Sequence, residues 1–364
     1  MSGWKEYRLG DIATLNYGKA LKTEDRIEGK YPVYSSAGKS GTHNIPLVKE
    51  NGIIIGRKGT IGKVYYCNSS FWCIDTAYYI LPNDNKYNFL FLYYLLQTLG
   101  LDELNEDSAV PGLNRETAYS QPIILPPLPE QKNIASALSS LDDKIDLLHR
   151  QNATLEKMAE TLFKQRFVEE AKDEWKEVKL GDLIEVKRGG SPRPIQDYLS
   201  DAGYRWLKIS DATKENSPFI FDIKEYIIKE GLSKTTYLKA GNLVLSNSAT
   251  PGIPKILQVD TCVHDGWLHF PKSKFSNEFL YLFFKGIRKE LENMGNGSIF
   301  TNLKTDIVKE YPIKLPDEKT LNDFEYQITM FFEKQLLNVK QIRSLTKLRD
   351  TLLPKLMSGE IRVG

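Results

Sequence analysis

From Ile134 onward, apolar residues recur at alternating steps of four and three: Leu138, Leu141, Ile145, Leu148, then Asn152, then Leu155, Ala159 and Leu162. A second run starts at Leu321 and lands on Phe324, Ile328, Phe331, Gln335, Asn338, Ile342, Leu345, Arg349, Leu352 and Leu356. A 3.5-residue period keeps one stripe of a helix turned toward a partner helix, as in a coiled coil. The spacing predicts long helices over 130–166 and 318–357. Pro129 and Pro316 stand near their starts, where a missing amide proton is harmless, and Pro354 predicts a kink or an end near the second C-terminus. A helix of roughly 36 residues is a strut of about 54 Å. Two such seams most simply pair with each other, antiparallel; the alternative is that each lies separately on its own globular neighbour. Pairing sets Leu141, Ile145, Leu148, Asn152 and Leu155 against Phe331, Gln335, Asn338, Ile342 and Leu345, with Asn152 near Gln335 or Asn338. A polar residue inside such a seam lowers stability and fixes register.

Outside these segments the apolar runs are short and punctuated. Ile53–Ile55 is closed by Gly56, Gly59 and Gly62, and Leu243–Leu245 by the stretch 246–252, which predicts buried strands entering tight loops. The segments 87–96 and 279–284 are apolar and aromatic on more than one face and predict buried helices. These features recur. WKEYRLGDIATLNYGK from Trp4 and WKEVKLGDLIEVKRGG from Trp175 share seven of sixteen residues at an offset of 171. Farther on, GIIIGRKGTIG from Gly52 matches NLVLSNSATPG from Asn242, Asp75 matches Asp265, and PIILP from Pro122 matches PIKLP from Pro312, all at an offset of 190. The second copy therefore carries 19 extra residues near its start. This period is far too long for a solenoid. The prediction is a repeated α+β module, each copy followed by a long helix: module 1–128, helical 129–170, module 171–316, helical 317–364.

Composition adds limits. At 41% hydrophobic and 11% aromatic, 364 residues can build real cores. Cys67, Cys73 and Cys262 cannot pair completely and the opening MSGWKEYRLG lacks an apolar leader, so a reducing cytoplasm is expected. No apolar run approaches the roughly 18 residues that span a bilayer.

Several catalytic patterns fail on inspection. GRKGTIGKV at 56–64 has five residues between Gly56 and Gly62, and Val64 where a phosphate loop needs Ser or Thr; AGKSGT at 37–42 has Val33 where the first glycine belongs. Pro126-Pro127 is flanked by leucines, not by the polar and aromatic residues with which a methyltransferase grips a flipped base. Glu-x-Lys triplets such as EWK at 174–176 are expected by chance when 26% of residues are charged. His264 and His269 around Asp265 could hold a metal, but an aromatic-rich strand whose histidines face solvent or a neighbour explains them better. Cys67 and Cys73 lack the second pair that a structural zinc site needs.

What remains is a set of polar loops, placed equivalently in both copies. Glycines admit backbone N–H groups to phosphates, Lys and Arg neutralise them, and Ser, Thr, Asn and Arg can read base edges. The candidates for DNA contact in the first module are Lys19, Lys22, Ser35, Ser36, Lys39, Ser40, Arg57, Lys58, Thr60, Lys63, Asn114 and Arg115. Those in the second are Lys187, Arg188, Ser191, Arg193, Lys208, Ser210, Asn247, Ser248, Thr250, Lys255, Asn302 and Lys304. With a net charge of only +2, any basic footprint must be local. GRKGT in one copy against SNSAT in the other suggests modules that read different targets.

The openings WKEYRLGD and WKEVKLGD, the module ends LPPLPEQ and KLPDEK, and the helix ends LFKQRF and LLPKLMSGEI resemble the specificity subunit of type I restriction-modification systems. The resemblance covers essentially the whole chain. It implies two target recognition domains, each reading one half of a split double-stranded DNA site. It further implies an antiparallel helix pair that sets the gap and docks two modification subunits. S-adenosylmethionine and the methyl-transfer chemistry then belong to those partners, ATP and Mg²⁺ to restriction subunits, and no cofactor or metal to this chain. Two other readings stay open on the residues alone: a stand-alone sequence-specific DNA-binding protein, and a dimeric scaffold with no nucleic-acid role.

Overall fold

The structure, a computed structural model, describes residues 3–83, 86–105, 111–295 and 302–363. Two compact units divide the chain, 1–146 with 343–364 and 147–342. The division cuts through both long helices, so each unit holds one module together with stretches of both helices, rather than leaving the helices as segments of their own.

In the first unit, strand Gly52–Gly56 is buried throughout because both of its faces are covered. Ile53 and Ile55 join the large core with Phe91, Leu92 and Leu95, while Ile54 turns to a smaller cluster with Phe71 and Cys73. It lies inside a four-stranded sheet ordered Asn16–Tyr17, Ala77–Ile80, Gly52–Gly56, Val64–Cys67. A three-stranded sheet pairs Tyr31–Ser35 antiparallel with Gly38–His43 and parallel with Trp72–Cys73. The opening strand Lys5–Arg8 is held by the closing strand Pro122–Leu125. Helix Phe89–Leu96 starts where the Asn88 side chain accepts from the Phe91 amide.

The second unit repeats this plan with additions. Leu243–Ser246 occupies the central place, Leu243 and Leu245 facing the core with Phe279 and Phe284, Val244 facing a cluster around Trp267. Tyr204–Leu207 runs parallel to Thr261–Val263, as Tyr31–Ser35 does to Trp72–Cys73. Short strands at Leu199–Ser200, Phe219–Ile220 and Thr236–Leu238 enlarge both sheets to five strands. They all lie between Gly189 and Leu243, the interval that contains the extra residues.

The equivalence extends to backbone contacts. Leu9 N–H donates to Gln121 O and Leu180 N–H to Tyr311 O; Gly18 N–H donates to Ala77 O and Gly189 N–H to Trp267 O. A β-carbon at Gly18 would lie 2.0 Å from the Ile74 carbonyl oxygen, and one at Gly189 2.3 Å from that of His264. Only glycine fits either place, which accounts for the glycine in both opening motifs.

The helices run over Leu128–Lys164 and Glu318–Met357. Pro354 sits inside the second, which continues three residues past it and stops before Gly359 in a left-handed conformation. In the second unit the pairing is antiparallel: Asn338 Nδ2 donates to Asn152 Oδ1 at 2.9 Å, Gln335 Nε2 to the Asn152 carbonyl at 3.2 Å, and Phe163 meets Phe324 farther along. In the first unit Arg349 reaches Asp142 at 2.8 Å and Arg362 lies 3.8 Å from Glu130, again in opposite directions. Leu148, Gln335, Asn338 and Ile342 are buried, and Leu141, Ile145, Asn152, Leu155, Phe331 and Leu345 partly so. Phe332, off the strict seam, is also buried, packed on the module's Phe219 and Tyr281. Each helix therefore serves its module as well as its partner helix.

Candidate nucleic-acid interface

In the first unit two of the candidate loops are stitched side by side. Gly62 N–H donates to Gly56 O across the loop, with Gly59 and Gly62 both at positive φ. Arg57 N–H donates to Thr76 O, and the Arg57 carbonyl accepts from Leu113 N–H, both at 2.9 Å. The buried Tyr78 hydroxyl donates to the Leu113 carbonyl at 3.1 Å. Arg57 and Lys58 are thereby brought to Asn114 and Arg115 on the rim of a cleft of about 360 Å³.

The cleft is organised by Tyr17. Its ring is 49% exposed and carries the Arg57 guanidinium at 4.9 Å and that of Arg115 at 5.1 Å. Arg57 Nη1 also donates to the Asp75 carbonyl at 3.0 Å. Arg115 Nε finds no hydrogen-bond partner among the described residues; the Glu116 carboxylate stands 3.6 Å away. Two guanidiniums on one ring beside Lys58 make a concentrated positive site, attractive to phosphate or to an electronegative base edge. Tyr17 was not among the expected contacts, although its place just ahead of Gly18 and Lys19 in a polar loop is a usable signal.

The second unit has the same hub with different chemistry. Gly252 N–H donates to Ser246 O and Leu303 N–H to Asn247 O, matching the first unit bond for bond. Asn247 takes the place of Arg57, and its Nδ2 donates to the Asp265 carbonyl at 3.1 Å. It is 2% exposed, however, so it lies too deep to meet a ligand. Charge gathers around Asp265: Ser191 donates to it at 2.7 Å, Arg193 at 3.0 Å, and Arg188 donates to its carbonyl. Burial alone would push the Asp265 carboxyl up, but Ser191, Arg188 and Arg193 together hold it below the usual carboxylate range. Ser191, Arg193 and Lys208 line a hollow of about 550 Å³ with Trp206 and His264.

Other candidates are placed differently. Lys255 is 5% exposed and its ammonium is spent on the Glu215 and Ser217 carbonyls; burial pushes its pKa down to about 8. Ser36 is buried, with its amide on Thr76. These three, Asn247, Lys255 and Ser36, leave the set that can face DNA, because burial and internal hydrogen bonds occupy them. Lys63 pairs with Asp102 at 2.9 Å, Lys187 with Glu185 at 2.9 Å, Lys22 with Glu24 at 3.4 Å, and Lys208 with Glu225. Ser35 donates to the Gly38 carbonyl and Ser40 to that of Val33 within one hairpin, and Thr250 closes its own turn through Ser246 and Ser248. Lys19, Lys39, Lys58, Thr60, Asn114, Ser210, Asn302 and Lys304 are exposed, and Ser248 half-buried.

The histidine pair faces neighbours. His264 lies against Trp206 and Trp267 and accepts from Gly266 N–H, while His269 is buried in its strand. Among the described residues no three His, Cys, Asp or Glu side chains gather as a metal site, all three cysteines are free and buried, and no helix is long and apolar enough to cross a membrane.

Comparison with known proteins agrees with this architecture. The chain is 28% identical to the type I restriction enzyme MjaIX specificity subunit of Methanocaldococcus jannaschii, over 99% of this chain and 89% of that one. It is 23% identical to the HindI specificity subunit of Haemophilus influenzae, over 99% and 100%. The crystal structure of a type I restriction-modification S subunit from M. genitalium superposes with a TM-score of 0.68 at 18% identity, covering 97% of this chain and 96% of that one, which marks a shared fold. The family model for the type I restriction modification DNA specificity domain matches residues 1–157 and again 172–349, once for each module with its helix, and the chain belongs to that family.

Proposed function

We propose that this chain is the non-catalytic DNA-recognition subunit of a type I restriction-modification complex, each module reading one half of a bipartite double-stranded target. The observation that carries this reading is the pair of equivalent loop hubs at 56–62 and 246–252. Four backbone hydrogen bonds recur at equivalent places, those donated by Gly56, Arg57, Gly62 and Leu113 and by Ser246, Asn247, Gly252 and Leu303, while the side chains the hubs carry differ. A scaffold held constant with its polar surface exchanged is what two readers of different sequences require. The continuous helices set the number of unread base pairs and offer docking surfaces to two modification subunits. Those subunits bring S-adenosylmethionine and methyl transfer, and restriction subunits bring ATP- and Mg²⁺-dependent cleavage.

Co-expression of the full chain with a cognate modification subunit, followed by single-molecule sequencing of the host DNA, tests the proposal. It predicts methylation at an asymmetric motif made of two short specified blocks around a fixed unspecified gap. A continuous motif, or a stable complex that leaves the DNA unmodified, would count against it. Strong salt-dependent DNA binding by the chain alone would favour a stand-alone binder.

A further inference from the structure

We propose that Arg57 is the residue by which the first module demands a guanine in its half of the target. The inference rests on the reading above and adds to it a single position and a base. Arg57 has its main chain and its side chain both fixed before any ligand arrives. Its amide and carbonyl are tied to Thr76 and Leu113, and its guanidinium is held by the Asp75 carbonyl and laid on the Tyr17 ring. An arginine left free loses rotamer freedom on binding, and one already held loses little. Its Nη1 donates to the Asp75 carbonyl, and a guanidinium carries five N–H donors in all. The donors left over suit the paired O6 and N7 acceptors that guanine presents in the major groove.

Its neighbours fit other roles. Lys58 and Lys19 are exposed point charges, which suits phosphate, and Arg115 shares the Tyr17 ring with its Nε unpartnered among the described residues. The second module offers an internal contrast. There Asn247 holds the same carbonyl position from a buried site, so the arginine adds a reading function to a hub that works structurally without it.

The test uses the full chain with its modification subunits and compares the methylated motifs of the native protein, Arg57→Lys and Arg57→Gln. Lysine keeps the charge but cannot make the paired contact. Both variants are expected to relax one guanine in one half-site to several bases, discrimination there falling about ten- to a hundredfold, with the other half and the gap unchanged. An unchanged motif in Arg57→Lys, with methylation merely reduced in Arg57→Gln, would make Arg57 a phosphate contact and overturn the assignment. So would a native motif without guanine in the affected half, or loss of all methylation in both variants at unchanged melting temperature. A native protein that gives no bipartite motif would instead remove the underlying reading, before any substitution is made.

Discussion

Ala249 is the one residue other than glycine at positive φ among the described residues, at +57°, in the turn where the first module has Gly59 at +76°. A side chain in that conformation costs roughly 1–2 kcal/mol, and glycine recovers most of it against a looser unfolded chain. Ala249→Gly is therefore expected to raise stability by about 0.5–1 kcal/mol in urea unfolding; a lower value would mean the turn does not hold this geometry. Lys255 gives a pH-dependent counterpart. Its folded pKa, about 8, lies below the unfolded value near 10.4, so between these the unfolded chain binds the extra proton and stability rises with pH. The urea midpoint of the native chain should gain on that of Lys255→Met from pH 8 to pH 10, and parallel curves would refute the burial. Lys255 also shows where reading residues from sequence stops. A loop's composition tells how many polar groups it has, but Lys63 and Lys255 differ only in what the fold brings beside them, a carboxylate for one and two carbonyls for the other.

The long helices were legible because a seam repeats many times over, and each further heptad makes chance agreement rarer. Their meeting point was legible for the same reason, since few polar residues interrupt the stripes. Buried Gln335 Oε1 and Asn338 Oδ1 have no hydrogen-bond partners among the described residues, and such atoms cost about 1–3 kcal/mol each. Replacing Asn152 and Asn338 together by leucine should raise the melting temperature by several degrees, at the risk of alternative registers. A lower melting temperature would show the polar contact to be a net stabiliser. The module-facing side of each helix was less visible. Tyr94 donates to Asp142 at 2.6 Å, and Tyr281 and Lys285 both reach Glu156. These ties join residues about 50 and 125 positions apart, beyond any local period.

The repeat made the two modules legible, because glycines and strand ends that must meet the same backbone neighbours cannot drift. The added strands between Gly189 and Leu243 escaped it, since an insertion has no counterpart to be compared with. If the helices set the gap, deleting one heptad from each should shorten the unread stretch and leave both specified blocks intact; altered blocks around the old gap would exclude that role. The central claim is that each module reads one half independently. It is tested most directly by exchanging residues 1–128 for the corresponding module of a relative and sequencing the methylated host DNA. The account predicts a motif in which one block changes to the donor's and the other block is kept. A motif in which both blocks change, or neither does, would contradict it.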